Sequence, residues 1–270
     1  MKTAQLSKTG MAYVDEGRGL PILLVHGFPL DHSMWEAQIA ALSPHSRVIA
    51  PDLRGFGRTP LAPGDAERGI SMEAYADDLV ELLDALAVRE PVLLAGFSMG
   101  GYVAWQFVRK HVGKLRALVQ CDTKAKADND EARAGRLKTA ESVAEWGSGR
   151  VAELMEPRLF APATIEKRPE VVAEVRTVIE RTPPAGIAAA QRGMAARPDV
   201  TGLLPAIKVP TLVLVGEHDV ISPPAEMKEI ADAIPGAEYI IVPRAGHMTS
   251  VEEPVAVSSA FNEFIEKVLR

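Results

Sequence analysis

Apolar residues along the chain fall into short consecutive runs, separated by segments with the length and periodicity of helices. Six runs rich in Val, Ile and Leu are apolar at successive positions, which is typical of parallel strands covered on both faces. Between them, residues 71–86 carry a candidate N-cap at Ser71 and a leucine stripe at helical spacing. This alternation predicts an α/β doubly wound, mostly parallel sheet, preceded by a hairpin over 5–17 and followed by a last helix over 254–269. The predicted strands are 21–27, 47–51, 91–95, 115–121, 211–216 and 239–242.

The alternation stops between residue 124 and about residue 205, where no strand-like run occurs. Helical patterns cover 129–147, 151–159, 169–181 and 184–196, with Gly or Pro signals between them. A segment of this length with helices of its own is not a loop. We therefore predict a core formed by residues 1–123 and 206–270, and a helical cap, residues 124–205, inserted over the C-terminal edge of the sheet.

Composition and charge narrow the classes of protein that fit this pattern. The chain has 270 residues and a net charge of −6, so binding of nucleic acid through a basic face is not expected. No apolar run reaches transmembrane length and the N-terminus lacks a signal-peptide pattern, which favours a cytoplasmic protein without membrane contact. Cys121 is the single cysteine, so an internal disulfide is impossible and a buried, inert thiol is expected. The sequence allows a monomer or a homodimer.

The segment Gly96-Phe97-Ser98-Met99-Gly100 follows a predicted strand directly and precedes an amphipathic helical segment. A sharp turn between strand and helix exposes the hydroxyl of Ser98, as a nucleophile requires. We expect Ser98 to have a positive φ, and side chains at positions 96 and 100 would collide across the turn. The pentapeptide alone also fits an ordinary turn of small residues, but the flanking strand and helix favour a nucleophile.

A nucleophilic serine needs a base and an acid that orients the base, and both have candidates at strand ends. His247 follows the last predicted strand in an uncrowded turn, where it could accept the Ser98 proton and return it to a leaving group. Asp219 follows the strand 211–216 and could hold the imidazole of His247. Asp122 is a competing acid, but the order Ser, Asp, His favours Asp219, and we expect Asp122 to fasten the start of the cap.

An acyl-transfer reaction also needs hydrogen-bond donors for the oxyanion. The backbone N–H groups of Phe28 and Met99 are the natural pair, because one follows the first parallel strand and the other follows the nucleophile. Pro29 restricts Phe28 and so helps to fix the direction of its amide. His26 is interpreted as a structural residue that braces this loop rather than as a second base.

Five motifs, each at the end of a predicted strand, together resemble the α/β-hydrolase superfamily over the whole chain. They are His-Gly-Phe-Pro at 26–29, Asp-Leu-Arg-Gly-Phe-Gly at 52–57, Gly-Phe-Ser-Met-Gly-Gly at 96–101, Gly-Glu-His-Asp at 216–219 and Gly-His at 246–247. The resemblance implies an α/β-hydrolase fold with Ser98 as nucleophile, Asp219 as acid, His247 as base, and oxyanion amides at Phe28 and Met99. The size and helical cap are similar to those of esterases, enol-lactonases and cofactor-free haloperoxidase or perhydrolase members, whereas dehalogenases and epoxide hydrolases have an aspartate nucleophile.

The expected activity is hydrolysis of carboxylic esters with small to medium acyl chains through an acyl-enzyme, with a small-molecule ester as partner and no metal or other cofactor. The alternatives are a lactone or enol-lactone hydrolase, a perhydrolase with hydrogen peroxide as acyl acceptor, and a small-molecule binding protein without turnover. We expect an apolar pocket between the sheet edge and the cap, without a cationic anchor. Arg54, Arg58 and Lys124 could bind a carboxylate, but solvation at the surface is the favoured interpretation of each. The candidate lining residues are Phe28, Trp146, Met155, Phe160, Met194, Val220 and Met248.

Overall fold

One eight-stranded sheet forms the centre of the computed structural model, which describes residues 1–269. Its order across the sheet is first, second, fourth, third, fifth, sixth, seventh and eighth strand. Along this order, the first two pairs of neighbouring strands are antiparallel, and the remaining pairs are parallel. The predicted α/β class and mostly parallel sheet are thus confirmed. The strands are β1 (Lys2–Gln5), β2 (Gly10–Glu16), β3 (Leu20–Val25), β4 (Ser46–Pro51), β5 (Val92–Phe97), β6 (Leu115–Cys121), β7 (Thr211–Gly216) and β8 (Glu238–Val242).

The parallel strands agree with the predicted ranges to within two residues, whereas the N-terminal hairpin begins earlier than predicted. Every residue of β5 and β7 is buried, which explains why their runs are apolar at successive positions. The hairpin starts at Lys2, which lies opposite Tyr13. Only Ala4 of β1 is buried, so this edge strand has no apolar run that a sequence pattern could reveal.

Helices connect the parallel strands and cover the sheet. α3 packs against α4 and α1 packs against α11, and Ser71 caps α3 as predicted, since its Oγ accepts the Ala74 N–H. Among residues 1–269, none of the helices has both the length and the apolar character needed to cross a membrane. The helices are α1 (Glu36–Leu42), α2 (Asp65–Arg68), α3 (Met72–Ala85), α4 (Met99–His111), α5 (Asp130–Leu159), α6 (Pro162–Lys167), α7 (Pro169–Arg181), α8 (Pro184–Ala195), α9 (Pro224–Ala233), α10 (Thr249–Glu252) and α11 (Pro254–Leu269).

The strand order reverses next to β3, and this reversal determines where a ligand can bind. The chain passes from β3 to β4 on one side and then returns across β3 to β5 on the other. Because crossovers between parallel strands are right-handed, α1 and α3 lie on opposite faces of the sheet. A crevice therefore opens at the carboxyl ends of β3 and β5, the place where open α/β sheets bind their ligands.

Four helices, α5 to α8, lie between β6 and β7 along the chain, and we call residues 124–205 the helical insertion. α5 packs against α7 and α8 and is bent at Gly147, where φ is 74° and ψ is 164°, at a predicted helix break. Pro157 lies inside α5 and does not separate two helices. The sequence pattern missed α6, because six residues are too few to show helical periodicity.

Candidate active site

Ser98 lies in the sharp turn between β5 and α4, at the carboxyl edge of the sheet. Its backbone has φ 52° and ψ −111°, so the predicted positive φ is present. Hydrogen bonds hold the residue in this conformation: Ser98 N–H donates to Cys121 O at 2.9 Å, and the Thr123 hydroxyl donates to Ser98 O at 2.7 Å. These contacts stabilise a backbone conformation that is unfavourable for a residue with a side chain.

Close backbone contacts require the glycines on either side of Ser98. A Cβ atom at Gly96 would lie 2.5 Å from Gly100 O, which is the collision across the turn that the sequence predicted. A Cβ atom at Gly100 would lie 2.3 Å from Val25 O. The turn therefore also packs directly against the end of β3, the strand that leads to Phe28.

His247 joins Ser98 to Asp219 in a continuous chain of hydrogen bonds. The distance from Ser98 Oγ to His247 Nε2 is 3.0 Å, and the distance from His247 Nδ1 to Asp219 Oδ2 is 2.8 Å. Since an ionised carboxylate can only accept, Nδ1 carries the ring proton and Nε2 accepts the hydrogen bond of the Ser98 hydroxyl. The fold thus brings together the three side chains that the sequence placed after β5, β7 and β8. His247 and Asp219 are buried, whereas Ser98 is half-buried.

Asp219 is held in its ionised form by three donors. Its Oδ1 accepts the N–H groups of Ile221 at 2.7 Å and Ser222 at 3.0 Å, while Oδ2 faces His247. Burial alone would raise the pKa of Asp219, but His247 and the two N–H donors outweigh burial and hold the pKa below its ordinary value. A carboxylate here fixes the tautomer of His247 and can stabilise an imidazolium.

Asp122, the competing acid, makes no hydrogen bond to His247, although the two residues and Asp219 have polar atoms within 4.8 Å of one another. Its oxygens accept the Gly216 N–H at 2.9 Å and the Thr249 hydroxyl at 2.5 Å. Asp122 therefore links the end of β7 to the start of α10, and the expectation that it fastens the start of the insertion is wrong. Burial and the charge of Asp219 raise the pKa of Asp122 well above its ordinary value, whereas the pKa of Asp219 is lowered.

The N–H groups of Phe28 and Met99 make no hydrogen bond with any of the residues 1–269. Phe28 lines the same cavity as Ser98, and its peptide bond to Pro29 is cis. Met99 is the first residue of α4, and the opening N–H groups of a helix have no partner within it. Neither amide therefore has a hydrogen-bond partner within the described residues.

His26 braces the loop that carries Phe28. Its Nε2 accepts the Leu53 N–H at 2.9 Å, and its Nδ1–H donates to Gly27 O at 2.8 Å. Both ring nitrogens are thus engaged in the neutral form, and burial lowers the pKa of His26 below its ordinary value. These contacts agree with the structural role predicted for it.

Glu252 ties the loop of His247 to the helical insertion, and sequence reasoning missed it. The side chain is fully buried, and its Oε1 accepts the Gly246 N–H at 2.7 Å. Its Oε2 accepts the Ala161 N–H at 2.8 Å and the Thr164 hydroxyl at 2.6 Å. Burial raises the pKa of Glu252, and these donors oppose that effect. No local motif distinguishes this glutamate from a solvated one, because its partners lie in a distant segment.

A cavity of about 440 Å³ lies between the sheet edge and the helical insertion, and both Ser98 and His247 line it. Three of the predicted lining residues, Phe28, Met155 and Met194, are in its wall.

The other four predicted lining residues lie outside this wall. Phe160 and Met248 are buried in the hydrophobic core, while Trp146 and Val220 are 37% and 61% exposed. Their apolar type predicted a place in the wall, but residue type does not tell which face of a helix or loop turns towards a cavity.

The cavity wall is more cationic than the sequence predicted. Lys124, Arg136 and Arg158 line it together with one acid, Asp128, so the prediction of an apolar pocket without a cationic anchor is wrong. A usable signal was present for Arg158, because it follows Met155 by three residues and so shares a helix face with it.

The two other cations considered as carboxylate binders lie elsewhere. Arg54 is buried between Asp65 and Asp78 rather than solvated, and Arg58 is exposed.

Two clusters within residues 1–269 have the residue types of a metal site, and the side chains of both clusters make hydrogen bonds with protein groups. One consists of Asp122, Asp219 and His247, whose contacts are described above. The other is Asp31, His32 and Asp52: Asp31 bonds to Ser33 and Arg181, and Asp52 bonds to His32 and the Arg58 N–H. Each carboxylate in the two clusters therefore accepts hydrogen bonds from protein groups.

Comparison with known proteins identifies the family. The family model described as "alpha/beta hydrolase fold" matches residues 21–254. The chain belongs to the α/β hydrolase fold family. The match spans β3 to the start of α11 and so includes both sides of the cavity.

Three α/β hydrolase relatives resemble the chain over nearly its whole length. A thermophilic esterase from Thermogutta terrifontis, solved with malate bound, is 46% identical, with a TM-score of 0.96 and 99% of each chain covered. The enol-lactonase from Burkholderia xenovorans LB400 is 30% identical, with a TM-score of 0.88, covering 98% of this chain and 100% of that one. The AB hydrolase superfamily protein YisY of Bacillus subtilis is 31% identical, covering 93% of each chain.

Proposed function

We propose that this α/β hydrolase cleaves carboxylic esters, with Ser98 as nucleophile, His247 as base and Asp219 as the acid that orients it. One observation carries the proposal: the hydrogen-bonded chain from Ser98 Oγ through His247 to Asp219, at 3.0 and 2.8 Å, in the wall of a cavity beside two unused N–H groups. A serine held in this way is activated by an adjacent base whose orientation is fixed.

In the acylation step, Ser98 Oγ attacks the ester carbonyl as its proton passes to His247 Nε2. The imidazolium that forms is stabilised by Asp219, and the oxygen of the tetrahedral intermediate accepts hydrogen bonds from the Phe28 and Met99 amides. His247 then returns the proton to the alkoxide leaving group. The product of this half-reaction is an ester of Ser98 and the free alcohol.

In the deacylation step, His247 takes a proton from a water molecule that attacks the Ser98 ester. The tetrahedral oxygen occupies the same two amides, and collapse releases the carboxylic acid and restores the Ser98 hydroxyl. Each step uses only groups of this chain, water and the ester.

The helical insertion acts in this proposal as a cap that covers the reacting groups. It contributes Met155 and Met194 to the cavity wall opposite Ser98. The Thr182 hydroxyl donates to Pro29 O at 2.9 Å, so the insertion is also attached to the loop of Phe28. Exclusion of bulk water strengthens the electrostatic interactions of the reacting groups.

Lactone hydrolysis is the second candidate, because the similarity to an enol-lactonase covers 98% of this chain at 30% identity. The same attack on a cyclic ester opens the ring, and the leaving alkoxide then stays attached to the acyl group. A panel of linear esters and lactones of equal carbon number would rank the two substrate classes by kcat/KM.

Labelling with an activated fluorophosphonate tests the proposed nucleophile. We expect one label per chain on the peptide that contains Ser98, and no label in Ser98→Ala. The matched control is Ser222→Ala, since Ser222 lies near Asp219 but outside the chain of hydrogen bonds to Ser98. An unlabelled native protein, or a label that persists in Ser98→Ala, would favour a binding protein or another nucleophile.

A further inference from the structure

We propose that the cavity selects esters that carry a second, ionised carboxylate, and that Arg158 is the residue that recognises it. This inference rests on the proposed ester hydrolysis and adds the charge of the substrate. It depends on the distribution of cations in the cavity wall, on their partners, and on the side of the cavity on which they lie.

The charge of the cavity wall is opposite to the charge of the whole protein. The chain carries 30 Lys and Arg against 36 Asp and Glu, so an average surface would be acidic. The cavity wall instead has three cations, Lys124, Arg136 and Arg158, against the single acid Asp128. A wall of this kind attracts an anion and repels a cation.

Neighbouring acids do not neutralise this excess. Lys124 pairs with Glu226 at 3.1 Å, which accounts for one cation. Asp128, however, accepts both Arg136 Nε at 2.6 Å and Arg197 Nη1 at 2.7 Å on the same oxygen. Burial opposes ionisation of Asp128, but the two guanidinium groups outweigh it and hold the pKa of this carboxyl below its ordinary value. One carboxylate therefore serves two cations, and a positive charge is left over.

The side chain of Arg158 has no hydrogen bond or ion pair with any of the residues 1–269. It projects from the second half of α5, where Leu154 and Met155, four and three residues before it, line the same cavity. Its five donors are therefore free to bind a ligand, and their planar arrangement matches the two oxygens of a carboxylate.

The reacting groups and the cations lie on different sides of the cavity. Ser98 and His247 belong to the sheet edge, whereas Arg136 and Arg158 belong to α5 of the insertion. An ester whose carbonyl contacts Ser98 would extend its other end towards the insertion. A carboxylate at that end would meet Arg158, and a neutral end of the same size would leave the guanidinium unpaired.

A pair of substrates of equal size isolates the effect of charge. Monomethyl adipate ends in a carboxylate, and the methyl ester of adipic acid monoamide ends in a carboxamide. The two substrates are otherwise identical. The measurement is the ratio of kcat/KM for the anionic ester to kcat/KM for the neutral ester, at pH 7.5 and low salt. We expect a ratio well above one in the native protein, and a decrease of this ratio by about tenfold or more in Arg158→Gln, because a charge-assisted hydrogen bond is lost.

Arg150→Gln is the matched control, since it removes the same charge from the same helix. Arg150 is paired with Glu153 and lies outside the cavity wall, so we expect its ratio to stay close to the native one. Added salt should lower the native ratio and leave that of Arg158→Gln almost unchanged, because screening acts on the charge that the variant lacks.

Hydrolysis of an activated aryl acetate, measured in parallel, separates the inference from the proposed function. If aryl acetate turnover depends on Ser98 but the adipate ratio is near one, or is equal in the native protein and Arg158→Gln, selection by Arg158 is refuted and the serine mechanism stands. If no ester is hydrolysed in a Ser98-dependent way, both are refuted.

Discussion

The two walls of the cavity differ in how their side chains are held. On the sheet edge, Ser98, Asp219 and His247 occupy tight turns and are linked to one another by hydrogen bonds. On the insertion, Arg158 projects from an exposed helical position without a partner in residues 1–269. The difference separates two requirements: the proposed chemistry depends on buried, fixed geometry, whereas the proposed selection of substrates depends on a long side chain that contributes little to the fold.

The largest effect is expected from a change on the sheet edge that keeps side-chain size. Asp219→Asn removes the carboxylate that fixes the tautomer of His247, and we expect kcat/KM for an aryl ester to fall by roughly 10⁴-fold. Asparagine keeps an oxygen for the N–H groups of Ile221 and Ser222, so the thermal unfolding profile should still show a cooperative transition.

Asp122→Asn is the matched control, because the two aspartates are close neighbours and only one contacts His247. Asparagine keeps an oxygen for the Gly216 N–H and tolerates the positive φ of 48° at this position. We expect a loss of less than about tenfold in kcat/KM, since no ring nitrogen loses a partner. Equal losses in the two variants would contradict the assignment of Asp219 as the orienting acid.

A smaller effect is expected from Glu252, which connects the two walls. Glu252→Gln replaces one acceptor oxygen by an NH₂ group that faces N–H and hydroxyl donors. We expect the free energy of unfolding to fall by about 1–3 kcal/mol, and kcat to fall by roughly tenfold as the loop of His247 loosens, with a smaller change in KM. Urea unfolding and steady-state kinetics measure the two effects.

Glu253→Gln is the control for this variant, because Glu253 is the next residue and pairs with Arg244 at the surface. It should change stability and kcat little. If Glu252→Gln lowered stability and left kcat at the native value, Glu252 would be a structural residue without a role in positioning His247.

The smallest effect concerns the pH dependence of stability. Because the pKa of Asp122 is raised in the folded protein, the folded state keeps a proton that the unfolded chain releases above the ordinary carboxyl pKa of about 3.9. The unfolded chain then binds fewer protons, so this group lowers stability as pH rises. We expect the unfolding free energy of Asp122→Asn, relative to the native protein, to increase with pH from about 4 towards neutrality. A difference that is constant over this range would mean that Asp122 is ionised in the folded state.

The same contrast between the walls explains how much the sequence could predict. Residues 96–100 carry their geometry locally, since the two glycines, the preceding apolar strand and the following helix all constrain Ser98. His247 and Asp219 could be placed because both follow apolar strands, and parallel strands end at the same edge of the sheet.

The insertion wall was predicted less well because its geometry is not local. Which face of α5 turns towards the cavity depends on the bend at Gly147 and on packing against α7 and α8. Apolar residue type alone therefore predicted Trp146 and Phe160 in the cavity wall and did not predict Arg136 and Arg158 there. Glu252 was missed for a related reason: its donors, Ala161 and Thr164, lie about 90 residues away in the sequence.

Direct capture of the acyl-enzyme tests the central claim that Ser98 attacks the ester carbonyl. The native protein would be mixed with an activated aryl ester, quenched in acid within milliseconds and digested for peptide mass spectrometry. We predict an added acyl group on the peptide that contains Ser98, formed at the rate of the burst of released phenol. Ester hydrolysis without an acylated peptide, or an acyl group on another residue that forms and decays at the rate of turnover, would contradict the account.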